Sequence, residues 1–77
     1  MWYYKTSMGT FTIQAHPHKP GQHMLFFDGI HLSDYPSAGE AAADVCAQRT
    51  GWDKWDLLGS VSAPPDLSGW AEGEPDE

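Results

Sequence analysis

The 77-residue chain carries eleven acidic and four basic residues, a net of −7, and is 40% hydrophobic with four Trp, three Tyr and three Phe. A chain of this length makes one domain that buries roughly 60% of the surface its unfolded state exposes, and the aromatic content excludes disorder between about Trp2 and Trp70. The charge is one-sided: Asp28 and Asp34 balance Lys5 and Lys19 as far as Gly39, whereas nine acids face Arg49 and Lys54 beyond it, so a nucleic-acid backbone would be repelled and direct binding to DNA or RNA is not expected.

Residues 2–6 are aromatic or β-branched, Ser7-Met8-Gly9 can turn the chain, and 10–15 alternate polar with apolar, which predicts a hairpin with Phe11, Ile13 and Ala15 facing inward. Two prolines and a glycine in 16–22 break strand pairing, so this stretch is expected as an exposed loop. Asp28-Gly29 between the apolar runs 23–27 and 30–32 predicts a second hairpin with a two-residue type I′ turn, and four strands before residue 35 suit a meander. Ser37 followed by Glu40 reads as a capping box, with the Glu40 side chain reaching back to the Ser37 amide. The helix it opens is expected over about 38–50, with Gly51 just past its end. Ala38, Ala41, Ala42, Val45, Cys46 and Arg49 fall on one side of it, Glu40, Asp44 and Gln48 on another. Residues 57–61 could add a last strand, "PPDLSGW" reads as an irregular segment with an anchoring turn, and 71–77, rich in carboxylates, as a flexible acidic tail beyond a single domain of 1–70. The expected fold is α+β: an antiparallel sheet of about four to five strands against one helix.

In "TGWDKWD", a strand would put one Trp and one Asp on each face, whereas a helical turn places Trp52 and Trp55 on one side and Asp53 and Asp56 on another. The tryptophans are therefore expected as core anchors and the aspartates as part of an acidic face.

Histidines at 16, 18, 23 and 31 match no closed structural-zinc spacing, and a two-proline loop is a poor ligand scaffold, so surface histidines are expected and no metal or other cofactor. Cys46, alone and on the buried face of the helix, fits neither a disulfide nor a reactive thiolate. Neither a phosphate-cradling glycine loop nor a carboxylate pair set in a cleft is present, and enzymatic function is not expected. No apolar run reaches the roughly 20 residues of a membrane span and the N-terminus lacks the pattern of a signal peptide, so the expected compartment is the cytoplasm, that of the host cell if a phage encodes the gene.

Acidity keeps a small protein soluble before it does anything else. Its segregation, however, also gives the helix half a negative potential that would steer it to a basic cleft, with Glu40, Asp44, Asp53, Asp56 and Asp66 as candidate contacts.

"WYYKTSMGTFTI", "FFDGIHLSDYPSAGEAAADV" and "PPDLSGW" resemble a group of small bacterial proteins with an aromatic first strand, a G-T-F-x-I strand, an F-D-G hairpin and a Y-x-S/T-x-x-x-A-A helix start. The resemblance covers most of the chain and carries over strands, turns and caps. In its size, acidity and lack of an enzymatic motif the chain also resembles the anti-CRISPR proteins of phages and mobile elements, a resemblance that leans to a type I inhibitor and, within that type, to the I-C kind. That resemblance implies a non-enzymatic inhibitor whose carboxylates stand in for DNA phosphates on a basic surface of a Cas effector complex. The alternative is a host-encoded interaction module that binds through its aromatic hairpin or a sheet edge, and a monomer or weak homodimer is expected in either case.

Overall fold

A computed structural model describes residues 1–59, 61 and 63–73. Four strands form the expected meander: β1 (Trp2–Thr6), β2 (Gly9–Ala15), β3 (His23–Phe27) and β4 (Ile30–Tyr35). A fifth, β5 (Ala71–Glu72), returns antiparallel to β1, giving a sheet of order β4-β3-β2-β1-β5. Asp28 and Gly29 adopt positive φ, 49° and 85°, as a type I′ turn requires. Asp28 also joins the two hairpins: its amide donates to the Thr10 carbonyl at 2.9 Å and its Oδ1 accepts the Thr10 amide at 2.9 Å. Gly9 is needed where they meet, because a Cβ there would run into the Asp28 carboxylate and lie 2.6 Å from Phe27 Cζ.

Alternation along β2 and β3 sends Phe11, Ile13, Leu25 and Phe27 to one face, where they are buried; Ala15, in phase with them, lies at the strand end and is exposed. Helix α1 (Ala38–Ala47) covers this face with Ala38, Ala41, Ala42 and Val45, small residues that let its backbone lie close to the sheet. Complete burial of Phe11, Ile13 and Leu25 contributes ~2 kcal/mol each. Phe11 meets the rings of Phe27 and Trp55 edge-on at 4.8 and 4.9 Å. No helix among the described residues is long and apolar enough to cross a membrane.

The helix ends three residues earlier than its sequence suggests. Gln48 turns left-handed (φ 59°), the Arg49 amide reaches back to the Asp44 carbonyl at 2.9 Å, and the Gln48 side-chain amide donates to the Trp55 and Leu58 carbonyls at 3.0 and 2.9 Å. Those two side-chain bonds hold a non-glycine residue in the αL cap, beyond which Arg49 is exposed; Cys46, within the last helical turn, is half-buried rather than part of the buried face. Helix α2 (Asp53–Asp56) follows and plants Trp55 in the core, its indole N–H donating to the Val45 carbonyl at 2.9 Å. Trp52 is half-buried on Phe27, with ring centroids 4.3 Å apart.

The strand expected over 57–61 does not form at 57–59 or 61: Leu57 leaves α2 into solvent, 81% exposed, and Ser60 lies outside the described residues. The last strand is β5, where the acidic tail was expected to start. Trp70, buried against the Tyr4 ring, brings the following two residues alongside Trp2 and Tyr3, so the chain leaves the fold later than residue 70. Residues 74–77 of that tail lie outside the described residues.

Candidate partner-binding surface

Helix α1 and the segment after it carry the five carboxylates singled out in the sequence, and the fold puts them to different uses. Ser37 caps α1: its hydroxyl oxygen accepts the Glu40 amide at 3.2 Å and its O–H donates to Glu40 Oε2 at 3.3 Å, in place of the expected bond from the Ser37 amide. Glu40 is exposed on the first helical turn, where a negative charge also suits the helix dipole. Asp44 follows one turn later, a rise of roughly 6 Å, and is half-buried beside Tyr35. Asp53 is exposed at the start of α2.

Asp56 points inward. Its Oδ1 accepts the Thr50 amide at 3.0 Å and the Thr50 hydroxyl at 2.8 Å, and its Oδ2 accepts the Gly51 amide at 2.7 Å. Thr50 is fully buried, its hydroxyl oxygen accepts the Trp52 amide at 3.2 Å, and its carbonyl accepts the Ser33 hydroxyl at 3.2 Å. The expectation that Asp56 stands with Asp53 on an open acidic face is thus corrected: its carboxylate closes the loop between the two helices, accepting from Gly51 and from fully buried Thr50, whose amide has no access to water. Asp66 caps the 3₁₀ turn Leu67–Gly69, accepting the Ser68 amide at 2.9 Å as well as the Ser68 hydroxyl. The hydroxyl first, then the amide, holds the Asp66 carboxyl below the usual range.

Sequence reading did not single out Tyr35. The β3–β4 register slips between Leu25 and Phe26, leaving Leu32 without a partner and rephasing the rest of β4, so that Ser33 and Tyr35 face the helix and Asp34 joins His31 on the other side. Burial, the Asp44 charge, hydrogen bonding toward that carboxylate and the Asp56 charge push the Tyr35 phenol up to about 12, outweighing the opposite pull of Ser33. At neutral pH it is a donor that keeps its proton, set between the two carboxylates. A strand-periodic reading could not have found it, since alternation without the bulge sends Tyr35 to the opposite face.

Neither Arg49 nor Lys54, both exposed, forms an ion pair with a described carboxylate; on the helix-free side His31 Nε2 and Asp34 Oδ1 lie at hydrogen-bond distance, 2.7 Å. The histidines are dispersed: His16 and His18 share the loop with ring centroids 6.2 Å apart, and His23 sits against Trp2 at 5.9 Å. Beside β1 a cavity of about 320 Å³ opens between Thr6, Met8, Trp55, Leu58 and Val61. Its walls are nearly as polar as they are apolar, with Lys5 and Ser7 also lining it. The Thr6 hydroxyl is engaged in the β1–β2 turn, accepting the Met8 and Gly9 amides at 3.0 and 3.2 Å, so it is not available to orient a substrate.

The helix side therefore offers Glu40 and Asp53 as exposed carboxylates, with Asp44, half-buried and bonded to the Tyr35 phenol, and Asp56 and Asp66 adding charge from groups already engaged in the fold. Compared with protein families, curated proteins and solved structures, the chain finds no match.

Proposed function

We propose that this protein is a non-enzymatic binding protein whose helix side takes the place of nucleic-acid phosphates on a basic surface, with a Cas effector complex as the partner. The observation that carries the reading is that Glu40, Asp44 and Asp53 stand on the two helices packed on one face of the sheet and that neither Arg49 nor Lys54 forms an ion pair with them. Uncompensated carboxylates on a rigid helix raise association rates with a basic cleft and exclude DNA from it by competition. Asp56 and Asp66 contribute charge at longer range.

The test is competition between this protein and target DNA for a type I Cas effector complex. The triple variant Glu40→Gln, Asp44→Asn, Asp53→Asn, folded by circular dichroism, should lose inhibition, and wild-type binding should weaken steeply as salt is added. Undiminished inhibition by the folded triple variant would refute the reading. A second reading, an interaction module that binds through a sheet edge, is supported by the open outer side of β4 and by Ile30, 66% exposed at its start. The bulge at Leu32 and the His31–Asp34 pair weigh against it, since both features blunt edge strands.

A further inference from the structure

Asparagine is absent from the chain, and Asp28-Gly29 is its one Asp-Gly pair; the other aspartates precede Tyr35, Val45, Lys54, Leu57, Leu67 and Glu77. That pattern singles out one bond for a particular chemistry. An aspartyl carboxyl can be attacked by the amide nitrogen of the residue after it, and glycine, lacking a Cβ, leaves that nitrogen open. Both residues are exposed, and a Cβ built on Gly29 would meet nothing. The fold, however, turns the carboxyl elsewhere. Asp28 is left-handed at φ 49°, its amide donates to the Thr10 carbonyl and its Oδ1 accepts the Thr10 amide, both at 2.9 Å. Its Oδ2 lies over Gly9, where a Cβ would run into it. The carboxylate is thus latched on β2, and the bond to Thr10 has to break before its carbon can swing to the Gly29 nitrogen.

We propose that Asp28-Gly29 is a site of spontaneous covalent modification, isomerisation to isoaspartate, and that the Thr10 amide is the latch that keeps it closed in the folded protein. The Gly29 nitrogen bonds to Asp28 Cγ; its proton and the hydroxyl of the protonated carboxyl leave as water, giving a cyclic imide. Water then opens the imide at Cγ, restoring aspartate, or at the main-chain carbonyl carbon, leaving isoaspartate; water is the only co-reactant. In isoaspartate the main chain runs through Cβ and Cγ, longer by one carbon, and the free carboxylate sits on Cα. A two-residue type I′ turn has no room for the added carbon, and the Thr10 amide loses its acceptor, so both hairpins loosen where they meet. Because the reaction proceeds from molecules whose latch is open, isoaspartate counts the openings of this junction. The inference is independent of the proposed partner, whose surface lies on the two helices.

The test is to incubate the protein at neutral pH, digest it and resolve the Asp28 peptide by mass spectrometry into aspartyl and isoaspartyl forms. The folded wild type should form isoaspartate at least about tenfold more slowly than the same chain unfolded in guanidinium chloride. Gly9→Ala, whose Cβ pushes the carboxylate off Thr10, should raise the folded rate at least about fivefold, with Thr10 amide exchange rising in step. If that variant does not fold, the link is read in the wild type, where guanidinium below the unfolding transition should raise isomerisation and Thr10 exchange by the same factor. Gly29→Ala, which crowds the attacking nitrogen, should slow the reaction of the unfolded chain at least about tenfold. Purified isoaspartyl protein should melt at least ~4 °C below the unmodified form. Equal rates in folded and unfolded wild type, isomerisation that rises while Thr10 stays protected, an undiminished rate in Gly29→Ala, or an isoaspartyl protein with unchanged melting would each overturn the proposal.

Discussion

Replacing Asp56 with alanine should destabilise the fold by ~3 kcal/mol, although a sequence reading makes this residue a surface charge. The magnitude follows from what its carboxylate accepts: the Thr50 hydroxyl at 2.8 Å, the Thr50 amide at 3.0 Å and the Gly51 amide at 2.7 Å. Gly51 is exposed and water can replace its bond at little cost, but Thr50 is fully buried, so its amide is left without an acceptor, at ~1–3 kcal/mol for the orphaned donor. Its hydroxyl loses a charge-assisted bond as well, which brings the total to ~3 kcal/mol, and the half-buried setting of Asp56 keeps it from rising higher. A 77-residue domain has only ~4–12 kcal/mol in all, so the variant should melt ~12–24 °C lower. Asp56→Asn should fall between, because one amide oxygen can still accept from Thr50 while the amide nitrogen opposes the Gly51 N–H. Urea unfolding by circular dichroism reads the loss, and amide hydrogen exchange locates it, with protection of Thr50 disappearing first. A shift below ~0.5 kcal/mol with Thr50 still protected would refute the assignment and return Asp56 to the acidic face.

Three further outcomes follow from the same geometry. Because folding makes the Tyr35 phenol hold its proton more tightly, the stability it adds is complete below pH 10 and is lost as pH climbs toward 12. The shift of about two units corresponds to ~2.7 kcal/mol, reduced to ~1 kcal/mol because solvent still reaches the half-buried ring; if Tyr35→Phe loses as much stability as the wild type over that range, the cause lies elsewhere. Trp55→Ala should cost ~4 kcal/mol and Trp52→Ala ~2 kcal/mol, since the first is buried and hydrogen-bonded to Val45 while the second is half-exposed; equal losses in urea titrations would contradict the different burial. Gly9→Ala should cost more than Gly29→Ala, ~2–3 against ~1 kcal/mol, because a Cβ at Gly9 strikes Phe27 and Asp28 while one at Gly29 meets open space and bears only the strain of its φ of 85°. Thermal melts that ranked them the other way would overturn this reading of the turn.

The parts of the fold that depend on local chemistry were legible. Asp28-Gly29 specifies its turn through backbone conformations few other pairs adopt, Ser37 caps its helix by reaching three residues ahead, and the period-two pattern of Phe11, Ile13, Leu25 and Phe27 places the core. What failed depends on partners distant in sequence or on a single inserted residue. Gln48 ends the helix because the Trp55 and Leu58 carbonyls lie within reach of its amide, and no propensity at position 48 reports on them. The bulge at Leu32 exchanges the faces of Ser33, Asp34 and Tyr35, which alternation alone assigns wrongly. Composition located the acid in the right half of the chain, yet it could not separate Glu40 and Asp53, open to solvent, from Asp56, whose charge is spent on Thr50 and Gly51.

The pairing of β5 with β1 joins the shortest strand of the sheet to the most distant one in sequence: Glu72 with Trp2 and Ala71 with Tyr3. The other strand pairs close loops of a few residues, whereas this one must bring together segments about seventy residues apart and gains two residues of ladder for it. The meander and helix can therefore assemble from neighbours while the closing strand docks last. The same imbalance gives the native state a low-energy opening in which β5 lifts away from β1 while Trp70, Phe11, Ile13 and Leu25 stay packed. The molecule is best pictured as a rigid slab with one hinged seam.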